Sequence, residues 1–293
     1  VAVEGNPVAI LENEFDRYKF MPARCGGVDT IIPKVEYRLG EQWLTADVNA
    51  EDEIYAVVKN SVKSISYSGS FPLWAMPTSP SVDVQVGDVK ITTALSMNPP
   101  EIWRAGEFLR FQPINAKLDG DVVVLDFAPQ PAGRLTAQWR LAPGKRVAGV
   151  KLTFTPSDAG SYSLGYHIFF RQPLADVEEL QMPLAFQRKR FLNKGYMVLD
   201  PRAPTPFALA QVGKAEKALC WSLIGDPSEI PFAWPDRRKP NMGLCISDGD
   251  GNVQPAIYGP VPTTEDSVAA AGEPLTFTFN VLVQPGEWYA AYR

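Results

Sequence analysis

Apolar and polar residues alternate with a period of two along most of this chain, and that alternation constrains the fold more than any other feature. The segment "SYSLGYHIFF" shows it best. Tyr162, Leu164, Tyr166, Ile168 and Phe170 fall on one side, and Ser161, Ser163, Gly165, His167 and Phe169 on the other. "SVDVQV" aligns Val82, Val84 and Val86, "GVKLTF" aligns Val150, Leu152 and Phe154, and "KALCWSL" aligns Leu219, Trp221 and Leu223. "LTFTFNVLV" places Leu275, Phe277, Phe279, Val281 and Val283 together. Turn-forming clusters such as "LDGD", "PQPAG", "LAPGK" and "TPSDAG" separate the runs and supply hairpin chemistry. The pattern predicts an all-β protein of about fifteen strands or more. A large two-sheet antiparallel β-sandwich buries that many half-apolar strands, and a seven-stranded immunoglobulin sandwich is too small.

Helical periodicity is scarce. "LADVEELQMP" has room for one or two turns before Pro183, and "TTEDSVAAAG" for a short turn capped by Thr264 and stopped by Gly272. No βαβ alternation and no fixed repeat occur.

Several function classes drop out. A formal net charge of −5 argues against nucleic-acid partners. No apolar run is long enough for a membrane span. P-loop and dinucleotide fingerprints are missing, so no cofactor is expected. His167 is the single histidine, which leaves no histidine-rich metal site, and no G-x-S-x-G elbow serves a serine triad. "DGDGN" (248–252) resembles the start of a calcium loop but has strand-like flanks, so a hairpin turn is expected and no metal. Three cysteines without a C-x-x-C pair argue against thiolate zinc, and Cys220 and Cys245 read as quiet strand thiols. The start at Val1 fits either a removed signal peptide or numbering from within a longer chain. A periplasmic or secreted bacterial location is expected, and the low cysteine usage fits the cytoplasm as well.

Candidate chemistry concentrates in two places. The stretch 226–243 carries four prolines, so it reads as a stiff loop and not as a central strand. Trp234 could stack on a sugar ring, and Asp236, Arg237 and Arg238 could bond hydroxyls or a uronate carboxylate. The competing reading has Phe232 and Trp234 pinning the loop while the charges stay solvated. His167 is the second place, with Arg171 four residues on and on the same face by the period of two. An ordinary strand histidine competes with a substrate contact there. Carboxylates that could pair with it are Glu107, Asp126 and Glu178. Asp226 with Glu229, or Glu178 with Glu179, is a candidate glycosidase pair, although Asp226 also suits a turn and the adjacent Glu178 and Glu179 would face apart on a strand. No pair stands out, and no catalytic residue is assigned.

Beyond these patterns, "DPSEIPFAWPDRRKPNMGLCI", "GNVQPAIYGP" and "LTFTFNVLVQPGEWYAAYR" carry a likeness. They resemble the N-terminal β-sandwich domain of bacterial glycoside hydrolases whose catalytic part is a six-hairpin (α/α)6 barrel. "KFMPARCGGVDTIIP" is similar to the first strands of the mutarotase-like supersandwich group. The resemblance implies a supersandwich over residues 1–283 and the start of a linker or helix at 284–293. It implies that Trp288, Tyr289 and Tyr292 form a junction with a helical catalytic domain, in the same gene product or a separate chain. The acid and base of such enzymes sit on the barrel, and the sandwich lends at most a loop to the glycan cleft. The expected function is therefore a non-catalytic accessory domain of a carbohydrate-active enzyme. A self-sufficient mutarotase-like, lyase or hydrolase enzyme and a free carbohydrate-binding module are the alternatives.

Overall fold

The computed structural model describes residues 2–3, 5–25, 27–46, 54–59, 62–67, 81–86, 89–94, 107–182, 197–199, 206–229, 241–247, 252–260 and 265–292. The strands begin with β1 (Ala2–Val3), β2 (Ala9–Glu12), β3 (Asp16–Cys25), β4 (Val28–Leu39), β5 (Gln42–Thr45) and β6 (Ile54–Lys59). Next come β7 (Val62–Tyr67), β8 (Ser81–Val86), β9 (Val89–Ala94), β10 (Glu107–Phe111), β11 (Pro113–Asp119) and β12 (Val122–Phe127). The middle of the chain forms β13 (Gly133–Leu141), β14 (Val147–Pro156), β15 (Gly160–His167), β16 (Gln172–Pro173), β17 (Glu179–Gln181) and β18 (Met197–Leu199). The last six are β19 (Phe207–Val212), β20 (Leu219–Gly225), β21 (Gly243–Ser247), β22 (Asn252–Gly259), β23 (Val268–Ala269) and β24 (Leu275–Pro285).

Two eight-stranded antiparallel sheets dominate. Sheet I runs β10-β6-β15-β22-β21-β18, with β16 on β22 and β23 on β15. Sheet II runs β11-β12-β13-β14-β24-β20-β19-β17. Sheet III is β1-β3-β4-β5 with β2 on β3, and sheet IV is β7-β8-β9. The expected all-β sandwich is thus present, with a further five-stranded sheet joined to it.

Alternation explains the layering. Every second residue of β14 (Ala148, Val150, Leu152, Phe154) is fully buried, as are Phe277, Phe279 and Val283 of β24 or nearly so. Tyr162, Leu164 and Tyr166 of β15 face them from sheet I within one core. Sheet III sends Tyr18, Phe20, Ile31 and Val35 into the same core. Each large side chain so buried stabilises by about 1.5–3 kcal/mol before chain entropy is charged. On the other face of sheet III, Met21, Ala23, Cys25 and Ile32 gather around Phe169.

Trp139 of β13 joins three sheets. Its ring lies 5.8 Å from those of Tyr18, Phe20 and Tyr166, and its indole N–H donates to the Tyr55 hydroxyl at 2.9 Å. Tyr18 and Phe20 belong to sheet III, and Tyr55 and Tyr166 to sheet I.

Helical structure among the described residues is limited to short 3-10 turns. The possible helix after Leu174 is a single turn, Leu174–Asp176, because Glu179–Gln181 instead pairs with β19. The turn in "TTEDSVAAAG" is Glu265–Ser267, after which Val268–Ala269 pairs with β15. Gly272, expected to stop that turn, lies beyond the intervening strand in a separate turn closed by the Glu273 N–H on the Ala270 carbonyl, where it takes a positive φ of 79°. Thr264 lies outside the described residues.

Candidate functional site

His167 ends β15, a strand held on both sides in sheet I. Residues directly opposite one another share a sheet face. Gly165 stands opposite Ala56 of β6 and Tyr258 of β22, and His167 opposite Ala256. Cys245 stands opposite Ala256 on β21, and Arg110 opposite Ala56 on β10. His167, Gly165, Tyr258, Cys245 and Arg110 therefore occupy the face of sheet I turned away from the core. Ala56 and Ser163 on this face have no solvent exposure, whereas Arg110 is exposed at the β10 strand.

Gly165 makes the arrangement possible. A Cβ there would sit 2.2 Å from the Tyr258 ring, so only glycine lets that ring lie over the β15 backbone. The ring then meets His167 edge-on, with centroids 5.5 Å apart, and the Tyr258 hydroxyl hydrogen-bonds His167 Nε2. Burial pushes the Tyr258 hydroxyl far above the usual phenol range, reinforced by Cys245 and opposed by Arg110. Tyr258 stays protonated with its hydroxyl engaged by His167, and the half-exposed imidazole and the exposed Arg110 are the polar groups nearest solvent on this face. Such a set can hydrogen-bond a polyol or hold an anionic group. The sequence pattern placed His167 on this face. Tyr258 and Arg110 were missed, because register across three strands is invisible in a linear pattern.

Arg171 is half-exposed in the connection after β15. The ladder ends at His167, but burial still alternates beyond it: Ile168 and Phe170 enter the main core, and Phe169 the smaller cluster. The carboxylates considered for His167 are not brought to it. Glu107 is on sheet I but opposite Lys59, with Tyr162 beyond, on the core-facing side. Asp126 lies on β12 of sheet II near Arg134, at 3.9 Å. Glu178 pairs with Lys214 at 3.0 Å.

Asp226 and Glu229 do come together, after β20. Asp226 Oδ1 accepts from the Ser228 N–H at 2.8 Å, and Oδ2 from Asn280 Nδ2 at 3.3 Å. Glu229 Oε1 accepts from the Thr278 N–H at 2.9 Å. Burial raises the Glu229 carboxyl, helped by Asp226 and opposed by bonds from Thr278 and Asn241. The pair pins this turn to β24, as expected for Asp226 as a turn former. Trp234, Asp236, Arg237 and Arg238 lie outside the described residues, as does the "DGDG" stretch at 248–251. Among the described residues no cluster of three His, Cys, Asp or Glu side chains is placed to hold a metal, and no helix is long and apolar enough to cross a membrane.

After β24 the chain turns at Gly286, whose N–H donates to the Ala218 carbonyl at 2.8 Å. The Trp288 N–H donates to Gln211 Oε1 at 2.8 Å and opens a 3-10 turn ending at Tyr292. Trp288 is half-buried, with the Tyr289 ring 6.0 Å away and 51% exposed. The side chain of Tyr292 is outside the described set.

The three cysteines are free thiols. Burial pushes both Cys220 and Cys245 up to about 12. At pH 8 only about one in ten thousand of either is thiolate, so neither should react with iodoacetamide in the native protein. Peptide mapping after alkylation is expected to show both modified only in denaturant.

No family model matches the chain, and no curated protein matches it. Solved structures do align. The Slr1438 protein of Synechocystis sp. aligns over 97% of this chain and 98% of its own, at 12% identity and a TM-score of 0.38. A GH36 alpha-galactosidase from Geobacillus stearothermophilus aligns over 95% of this chain but 40% of its own, at 11% identity and 0.45. A 4-alpha-glucanotransferase from Thermococcus litoralis aligns over 96% and 40%, at 10% identity and 0.33. At these scores the likenesses assign neither an activity nor a substrate.

Proposed function

We propose that this chain is a non-catalytic accessory β-sandwich domain of a carbohydrate-active enzyme of the glycoside hydrolase type. It packs on a helical catalytic domain and helps to shape the glycan cleft. The observation that carries the reading is the aromatic turn after β24. Trp288 and Tyr289 are fixed there through Gln211 and Ala218, yet Tyr289 remains 51% exposed. An exposed tyrosine beside a half-buried tryptophan, ordered on a rigid sheet, suits a surface that another domain covers. The sequence resemblance of 275–293 and 226–246 supports the same assignment, with 284–293 leading into the partner domain. In this reading Trp234, Asp236, Arg237 and Arg238 are the cleft-shaping loop.

Intact mass of the natural gene product, with its far-ultraviolet circular dichroism, tests the proposal. A product longer by some hundreds of residues, with helical signal lacking in this chain, is the expected result. A natural product without a helical domain, and with no helical partner in the purified assembly, overturns it.

The His167–Tyr258 pair beside Arg110 favours a second reading, a self-sufficient enzyme acting on carbohydrate. General acid–base catalysis by a positioned histidine is worth about 10²–10⁴-fold. Under the accessory reading the isolated chain turns over no sugar substrate, so His167→Ala changes nothing. Turnover that falls at least a hundredfold in His167→Ala would instead place the chemistry on sheet I.

A further inference from the structure

The turn between β2 and β3 and the turn between β13 and β14 grip one another across two sheets. Asn13 Nδ2 donates to the carbonyls of Ala142 at 2.8 Å and Lys145 at 2.7 Å. Its Oδ1 accepts from the N–H groups of Phe15 and Asp16, both at 2.9 Å. From the other side Arg146 reaches back. Its Nη1 donates to Asp16 Oδ1 at 2.7 Å and to the Phe15 carbonyl at 3.3 Å, and its Nη2 to the Arg38 carbonyl at 3.1 Å.

Asp16 is out of place here as an anion. Its side chain has no solvent exposure, and Oδ2 has no hydrogen-bond partner. A carboxylate with one dry, unpaired oxygen is costly, and a proton on that oxygen removes the larger part of that cost, the buried charge. Two carbonyls and the Phe15 ring, 5.0 Å from the guanidinium carbon, also surround Arg146.

We propose that Asp16 and Arg146 form a proton-controlled clasp between sheet III and the β13–β14 turn of sheet II, closed while the Asp16 carboxyl carries a proton and loosened when it ionises. Burial outweighs the charge and hydrogen bond of Arg146 and raises the carboxyl to about 7. Opened to water, Asp16 returns to the ordinary value of about 3.9. The closed state thus binds the proton more tightly. Its advantage is complete below about pH 4 and is lost as the pH rises through about 7. Tyr18, on the same face of β3, is pushed far up by burial and by the Asp16 charge, and Tyr37 stands opposite on β4. Glu14 and Lys145 belong to the same two turns and are exposed.

Selective ¹³C labelling of aspartate, with the Asp16 signal identified by its loss in Asp16→Asn, reads the carboxyl directly. A titration midpoint near 7 is expected, and a midpoint below 5 overturns the proposal. Hydrogen exchange gives a second readout at the Asp16 and Arg38 amides, which bond Asn13 Oδ1 and the Phe15 carbonyl. After correction for intrinsic exchange, opening should rise about fiftyfold from pH 5 to pH 7. Asp16→Asn keeps an oxygen for Arg146 and should make that opening independent of pH. Opening that is flat or falling with pH in the unaltered protein, or an asparagine variant already open at pH 5, overturns the clasp.

Discussion

Trp139→Ala is expected to destabilise the protein by about 3–5 kcal/mol in urea unfolding, the upper range for loss of a buried aromatic. The indole contacts Tyr18 and Phe20 of sheet III and Tyr166 of sheet I, and it donates to the Tyr55 hydroxyl. Its removal opens a cavity where three sheets meet, and neighbours fixed in the separate ladders of sheets I and III cannot collapse into it together. Trp139→Phe tests the hydrogen bond apart from the volume. It leaves the fully buried Tyr55 hydroxyl without its indole donor, at about 1–3 kcal/mol. Pairing it with Tyr55→Phe should recover part of that cost. Equal unfolding midpoints for Trp139→Phe and the unaltered protein would show that the bond contributes nothing.

Gly165→Ala carries the second large effect. The new methyl would meet the Tyr258 ring at 2.2 Å, with the β15 backbone fixed between β6 and β22. Overpacking of this kind costs about 1–3 kcal/mol. The ring must swing away, and the hydroxyl then leaves His167. Because His167 is the single histidine, its imidazole resonances need no assignment. They are expected to move sharply in Gly165→Ala and to keep their environment in a surface control such as Lys117→Ala. Unchanged histidine resonances together with unchanged stability would contradict the geometry of the pair.

How far the sequence speaks can be judged from three strands. The alternation in "SYSLGYHIFF" foretold that Tyr162, Leu164 and Tyr166 are buried and that His167 faces away, because side-chain direction in a strand is set locally. The "DRYKF" segment holds the same information about Asp16, which shares the parity of Tyr18 and Phe20 and is buried with them. An acid in phase with an apolar stripe was the signal for the clasp. Its partner Arg146 is 130 positions away, and no local rule connects them. Tyr258 likewise reads as one more strand aromatic until register sets it over Gly165. Periodicity reports which face a residue takes, whereas pairing partners depend on the free energy of the whole sheet. The candidate loop from Trp234 to Arg238 falls outside the described residues, so its predicted sugar contacts stand as part of the functional proposal.

The position of β24 has a consequence for how the chain is made. In sheet II, β24 is the strand between β14 and β20, and it pairs with both. The two groups β11–β14 and β17, β19 and β20 have no other seam in that sheet. A ribosome delivers residues in order, so both half-sheets emerge well before residues 275–285 can join them. Until then β14 and β20 each present an open edge and an uncovered apolar face, the state in which nascent chains are captured by neighbours or chaperones. Completion of this sheet therefore waits for β24, and the time taken to translate residues 226–285 sets how long the two halves wait.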